Sequence, residues 1–409
     1  MKNKGVQIFF SVVLAVVLLC GTVAIVKTTK NGGVNPYEPQ QEQKTTADDS
    51  VANADTQPPK DVPTAAKVTM LSVGDNLIHD GIYKQAQKRA GQGEYDFSFC
   101  YSRIKPIVES VDVATINQET IVAKSYPPSG YPMFNSPLAL GEEVCKTGFD
   151  VVNLANNHML DKGAKGLLEA IDFWTSQKGV VMTGAYRDKE NLQEIQYIER
   201  NGMKIGLVGV TQYLNGLSLP KDSPLQIILT SDEATIESKI KKAKAVCDAV
   251  LVNAHWGTEY NTTPTPDQEK LAQKMADWGA DVIIGHHPHV LQPVTWLDRK
   301  DGGRTLCVYS LGNFISQQNT GARVIGGMLH YTLQRQTDGG GVTVEDVYFE
   351  PVVTHYVSGS HDVQIYPFAE YTDALAKKQA ARLKEPNFSC AYIAEFVKKV
   401  IPTEFLKEA

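Results

Sequence analysis

Five short apolar runs in this chain each end directly in residue types that bind metal ions, and no other feature restricts its fold so strongly. The runs are Val68 to Val73, Val111 to Ile116, Asp150 to Ala155, Ala249 to Ala254 and Asp281 to Ile284; after them come Asp75, Glu119, Asn157-His158, His255 and the cluster His286-His287-Pro288-His289. Each run is rich in Val or Ile and bounded by turn residues, as a buried strand is. In α/β sheets ligands bind beyond the carboxyl ends of the strands, so these distant side chains are expected to meet in one cleft. Imidazole, carboxylate and amide oxygen together suit Zn, Mn or Fe.

Taken singly, the residues have plainer uses. Asp75 reads equally as a cap for a helix over Ile78 to Arg89, Glu119 as a solvated loop charge, and His255 as a hydrogen-bonded loop histidine. Three histidines between His286 and His289, with Pro288 stiffening their turn, are not explained by packing. Jointly the set matches a site for one or two divalent ions, which needs several mixed O and N donors and, for two ions, a shared carboxylate. Asp75 and Glu119 supply carboxylates, Asn157 an amide oxygen, and His255, His287 and His289 imidazoles. His158 is placed to protonate a leaving oxygen. Asp161 either fixes the tautomer of His158 or caps a helix beginning near Gly163. Glu259, Tyr260, His286 and Asn313 are candidates to line a substrate pocket. Trp256 reads as pocket wall or core. The Pro- and Gly-rich loop from Ser125 to Pro137 reads as a flap or as a structural loop.

A short basic head (residues 1–4) precedes an uncharged 22-residue stretch, residues 5–26. That length spans a bilayer, and the apolar character runs past Cys20 and Gly21, so an uncleaved single-pass anchor with the bulk of the chain outside the cell is expected; lipid attachment at Cys20 is the rival. Residues 27–66 are polar and poor in aromatics, the composition of a disordered tether. The rest divides into one large domain, 67–363, and a helical C-terminal appendage, 364–409. Net charge is −6 with no dense basic block after the anchor, which argues against nucleic acid as a partner. The six cysteines are scattered without a CxxC pair, so neither a zinc finger nor a disulfide scaffold is indicated.

Strand and helix signals alternate, an α/β pattern. Helix starts are expected at Ser136-Pro137, with Ser136 as cap, and at Thr265-Pro266-Asp267-Gln268, a capping box. Further strands are expected at Gly179 to Met182, Lys204 to Val210, Thr305 to Tyr309, Val324 to Leu333 and Val342 to Glu350; the later ones come without intervening helices, which predicts a mixed second sheet rather than a purely parallel one.

The ordered motifs Gly74-Asp75, Asn117-Gln118-Glu119, Asn153-Leu154-Ala155-Asn156-Asn157-His158 with Asp161, His255-Trp256-Gly257-Thr258-Glu259-Tyr260, Gly285-His286-His287-Pro288-His289 and Tyr309-Ser310-Leu311-Gly312-Asn313-Phe314 resemble the capsule-synthesis CapA (PgsA) family over roughly Val68 to Val353. The resemblance implies a fold like calcineurin-like metallophosphoesterases, a sandwich of two mixed β-sheets flanked by helices. It also implies a role in poly-γ-glutamate capsule production. The chain departs from working metallophosphoesterases, whose first motif is Asp-x-His: here the histidine comes only at His79, which leaves a one-metal site open. Three readings follow. The first is a metal-dependent hydrolase-like protein acting on an anionic polymer or a phosphoester. The second is a non-catalytic component that holds polymer or assembles with membrane synthase subunits. The third is a phosphodiesterase unrelated to capsule.

Overall fold

The computed structural model of the protein describes residues 65–337, 341–359 and 362–407. The expected head, membrane span and nearly all of the linker fall on residues 1–64, outside the described residues. No helix among the described residues is long and apolar enough to cross a membrane.

Two mixed sheets carry the fold. The strands are β1 (Ala66–Asn76), β2 (Val113–Asn117), β3 (Val151–Asn153), β4 (Val181–Thr183), β5 (Gln196–Arg200), β6 (Met203–Thr211), β7 (Ala249–His255), β8 (Val282–His286), β9 (Leu291–Asp298), β10 (Arg304–Leu311), β11 (Asn313–Ile315), β12 (Ile325–Arg335), β13 (Val342–His355) and β14 (Gln364–Pro367). One sheet runs β14-β13-β12-β1-β2-β3-β4, with β11 also pairing β1; the other runs β5-β6-β7-β8-β10-β9. β1 to β4 are mutually parallel, as are β6, β7, β8 and β10, while β12 to β14 and the edges β5 and β9 run antiparallel to their neighbours.

The inner strands β6, β7 and β8 of the second sheet are buried along nearly their whole length because both their faces are covered. Leu207, Leu251 and Ile284 share a core with Val73, Ile116 and Val152 of the first sheet. Their alternate neighbours Val208, Val252 and Ile283 meet Ile236, Ile240, Leu271 and Met275, from helices Glu233–Val246 and Pro266–Asp277. The period of two thus splits each strand between two cores. Each fully buried Leu or Ile contributes ~1.5–3 kcal/mol.

Three expectations are corrected. The late strands do not form a second sheet of their own: β12 and β13 complete the first sheet, because β12 pairs antiparallel with the otherwise open edge of β1, from Ala66↔Arg335 to Val73↔Met328. Residues 364–367 are not helical appendage but β14, bonded to β13 at the sheet edge, so the domain does not end at 363. Ser136 does not cap a helix, since its hydroxyl bonds Thr120 Oγ1 at 2.7 Å; the helix is Leu138–Thr147, entered from extended Pro137. The capping box at Thr265 forms as expected, with Gln268 N donating to Thr265 Oγ1 and Thr265 N donating to Gln268 Oε1.

Candidate metal centre

The five runs end side by side. Parallel registers place Asp75 opposite Asn117, Asn117 opposite Asn153, and His255 opposite His286, while β11 sets Asn313 beside Asp75. Two glycines permit the closeness. A Cβ on Gly74 would stand 2.0 Å from the Gly312 carbonyl oxygen, and one on Gly285 would stand 1.9 Å from that of Tyr309. Asp75 N donates to Gly312 O at 2.9 Å, which fixes the first carboxylate against the crossover between sheets.

Asp75, Glu119 and His289 form one group of donor atoms within 4.8 Å of one another, and Glu119, His255 and His287 form another. Glu119 belongs to both. Its Oε1 lies 3.6 Å from His255 Nε2 and 3.7 Å from His289 Nε2. His289 Nδ1 donates to Asp75 Oδ2 at 3.1 Å, and His287 Nδ1 stands 3.1 Å from His255 Nε2. The Asn157 amide oxygen joins the second group, 2.9 Å from His255 Nε2. His79 is outside both groups. All the donor side chains are buried, and neither carboxylate oxygen of Glu119 has a hydrogen-bond partner. A fully buried carboxylate without a donor is costly unless a cation meets it. The donor set therefore fits a divalent metal ion.

The electrostatics agree with that fit. Burial, and then the other imidazoles, hold His255 well below the usual histidine range; burial likewise brings His287 to about 4, so both rings are neutral and have lone pairs to give. Burial drives Glu119 well above the usual carboxylate range, and the Asp75 charge adds to this. Burial also opposes ionisation of Asp75 and His289. Their mutual hydrogen bond and charge outweigh it for Asp75, which is lowered; for His289 the Glu119 charge and Asp75 outweigh it, and the ring rises to about 9.

His158 borders the second group. Its Nδ1 donates to Asp161 Oδ2 at 2.8 Å, and the same oxygen accepts from Phe134 N at 2.6 Å. Asp161 therefore orients the imidazole and does not cap the helix Gly163–Ser176, which has no side-chain cap. The loop from Ser125 to Pro137 is pinned through Asn135, which bonds Ala123 and Tyr126. Its Phe134 ring stands edge-on to His158 at 4.7 Å and to His79 at 5.4 Å. Trp256 is core, its Nε1 donating to Tyr309 O.

The expected pocket residues divide. Glu259 lines an open cleft of about 420 Å³ with Tyr213, Asn215 and His287, and Tyr260 is exposed beside it. His286 is only 1% exposed and contacts Asn253 Oδ1 at 3.3 Å and Asp75 Oδ1 at 3.6 Å, so it supports Asp75 from behind rather than lining the cleft. Asn313 is also buried, its Nδ2 donating to the carbonyls of His289 and Arg323.

Sequence reasoning missed two contributors. Asn117 Nδ2 donates to Asp75 Oδ1 at 2.8 Å and lies 3.4 Å from His255 Nδ1, touching a ligand of each group. Asn215 Oδ1 accepts from Asn157 Nδ2 at 3.2 Å, which turns the Asn157 oxygen toward His255. The signal for Asn215 was an Asn-Gly turn just beyond a strand end. Of seven non-glycine residues with positive φ among the described residues, four are here: Asn215 (51°), Tyr260 (66°), His287 (98°) and His289 (57°). Such conformations persist only where surrounding contacts over-determine them, so the strain is concentrated around the ligands.

Residues 69–318 match the bacterial capsule synthesis protein PGA_cap family, more than half of the chain. The chain belongs to that family. The PGA_cap match contains every ligand named above. Relatives include the capsule biosynthesis protein CapA of Bacillus anthracis, 34% identical over 265 residues, and the PGA biosynthesis protein CapA of Bacillus subtilis, 29% identical over 271. The first alignment covers 62% of this chain and 60% of the relative; the second covers 65% and 68%. Among solved structures, a phosphatase of Mycoplasma pneumoniae superposes at a TM-score of 0.42 with 12% identity, over 71% of this chain and 95% of that one.

Proposed function

We propose that this PGA_cap protein is a membrane-anchored, extracytoplasmic, metal-dependent hydrolase-like protein that acts in the synthesis, export or processing of a capsular polymer such as poly-γ-glutamate. The observation that carries the reading is the shared carboxylate: Glu119 belongs to two donor groups, and a histidine-aspartate pair stands beside them. The names of the Bacillus relatives support the polymer, and the uncharged stretch at residues 5–26 supports the anchor.

Asp75, Glu119 and His289 would hold one ion, and Glu119, His255, His287 and Asn157 a second, with Mn, Zn or Fe suited to such donors. Bound there, divalent metal supplies Lewis acidity toward a phosphoryl or carbonyl oxygen and lowers the pKa of water. The chain's own residues do the rest. Asp161 holds the Nδ1 proton of His158 and leaves Nε2 as the atom that hands a proton to a leaving oxygen. Phe134 packs edge-on to that ring and limits water beside it. Asn215 keeps the Asn157 oxygen aimed at the second group.

One observation favours a second reading. His79 is absent from both donor groups, so the first has only three donors, and a single structural ion in a polymer-binding or synthase-assembly component would need no more. Elemental analysis of the purified protein separates the two. About two ions per chain, with His158→Ala slowing turnover of substrates with poor leaving groups while metal remains bound, supports the hydrolase. One ion and no turnover of phosphoesters or γ-linked oligomers supports the binding component.

A further inference from the structure

The rim beyond His289 carries a cation that the metal chemistry leaves unused. Arg323 lies in the 3₁₀ turn Gly321–Val324, immediately before β12. Its guanidinium carbon sits 3.3 Å from the centroid of the Tyr260 ring, and that ring lies 6.2 Å from the His289 imidazole. Arg103, Arg200, Arg299 and Arg335 each pair with a carboxylate. Among the described residues none pairs with Arg323, in a protein whose acids outnumber its Lys and Arg by 46 to 40.

Both members of the pair are tied to the ligand turn. Asn313 Nδ2 donates to Arg323 O at 2.9 Å and to His289 O at 3.3 Å, and Asn313 is the register partner of Asp75. Tyr260 N donates to Pro288 O at 2.7 Å, which holds the tyrosine at its φ of 66°. The guanidinium is therefore fixed relative to the metal ligands while its donors stay uncommitted. A planar guanidinium held on an aromatic face presents a fork that matches carboxylate or phosphoryl oxygens.

We infer that Arg323, held on Tyr260, is the substrate-anion clamp of this centre: it binds an oxyanion of the substrate, carboxylate or phosphoryl, beside the group that reaches the ligand cluster. The inference rests on the metal-site reading for its place in the chemistry, but the clamp is testable without metal. The experiment is isothermal calorimetry on the full chain, with and without Mn²⁺, using inorganic phosphate and a γ-linked glutamate tetramer as probes. In Arg323→Ala and Arg323→Lys at least one probe is expected to bind about tenfold more weakly, with metal stoichiometry and melting temperature retained. Arg323→Lys keeps charge and stem and removes only the fork, so its loss of binding supports the clamp even if Arg323→Ala folds poorly. Weakening of phosphate alone assigns a phosphoryl group, and weakening of the tetramer alone assigns a carboxylate. Wild-type affinity for both probes in the variants, or binding of neither probe by the wild type, overturns the inference. Arg323-dependent binding in a chain that takes up no metal would leave the clamp standing and remove the metal reading.

Discussion

Replacing Glu119 with glutamine should change the protein's stability in opposite directions with and without metal. In the metal-free chain both Glu119 oxygens are buried without a hydrogen-bond partner, and burial together with the Asp75 charge pushes the carboxyl well above its usual range. Leaving a buried polar group unsatisfied costs ~1–3 kcal/mol and a charged one more, so at a pH high enough to ionise Glu119 the isosteric neutral amide, still poorly partnered and without the attraction to the His289 ring, should recover ~1–2 kcal/mol. For a domain of this size that is a rise in melting temperature of roughly 1–3 °C. With metal at a hundred times its dissociation constant the wild type gains ~2.7 kcal/mol, whereas the variant has lost the one carboxylate common to both groups and gains little. The order of stability should therefore invert. Scanning calorimetry after chelation, and again during a Mn²⁺ titration, reads both halves. A Glu119→Gln protein less stable than wild type after chelation would refute the reasoning, because it would mean that the carboxylate is already satisfied by the chain.

Three further outcomes are expected. The double change His287→Ala with His289→Ala removes one donor from each group, so metal content and melting temperature should fall together; metal content equal to wild type contradicts the ligand assignment. In the metal-free chain His289 is raised from 6.5 to about 9, a proton bound more tightly when folded; its stabilisation is present below pH 6.5 and is lost as pH rises through 9. The raised Glu119 acts in the same direction. Stability of the chelated protein should thus decline between pH 6.5 and 9, and metal uptake near pH 7 should release at least about one proton, measured by calorimetry in buffers of different ionisation enthalpy; no release contradicts it. Gly285→Ala sets a methyl 1.9 Å from the Tyr309 carbonyl oxygen, and the forced separation of β8 from β10 should cost ~1–3 kcal/mol or more and weaken metal binding; an unchanged denaturation midpoint would show that the strands are not in close contact there.

Much of the centre was legible because strand ends announce themselves locally: an apolar run followed by Asp75, His255 or His287 needs only a few residues to be read. Asp161 was legible for the same reason, three residues from the imidazole it orients. The late strands were assigned to the wrong sheet because alternation reveals a strand but not its neighbour, and β12 finds β1 only through the whole fold. Ser136 failed as a cap because Thr120, sixteen residues away, competes for its hydroxyl. Asn117 and Arg323 were invisible as contributors for a related cause: an amide or a guanidinium carries no signature until the fold shows what it faces.

The pairing of β1 with β12 also bears on when the centre can form. Ser72 on β1 meets Tyr331 on β12 at a separation of 259 residues, three positions before the first ligand, Asp75. Contacts that distant are made late and slowly, since the entropy of closing the intervening chain must be overcome first. A chain emerging amino end first presents Asp75, Glu119 and Asn157 long before β12 exists to seat them. The order of synthesis thus delays ion capture, and a nascent or truncated chain ending before Arg335 should be a poor competitor for metal.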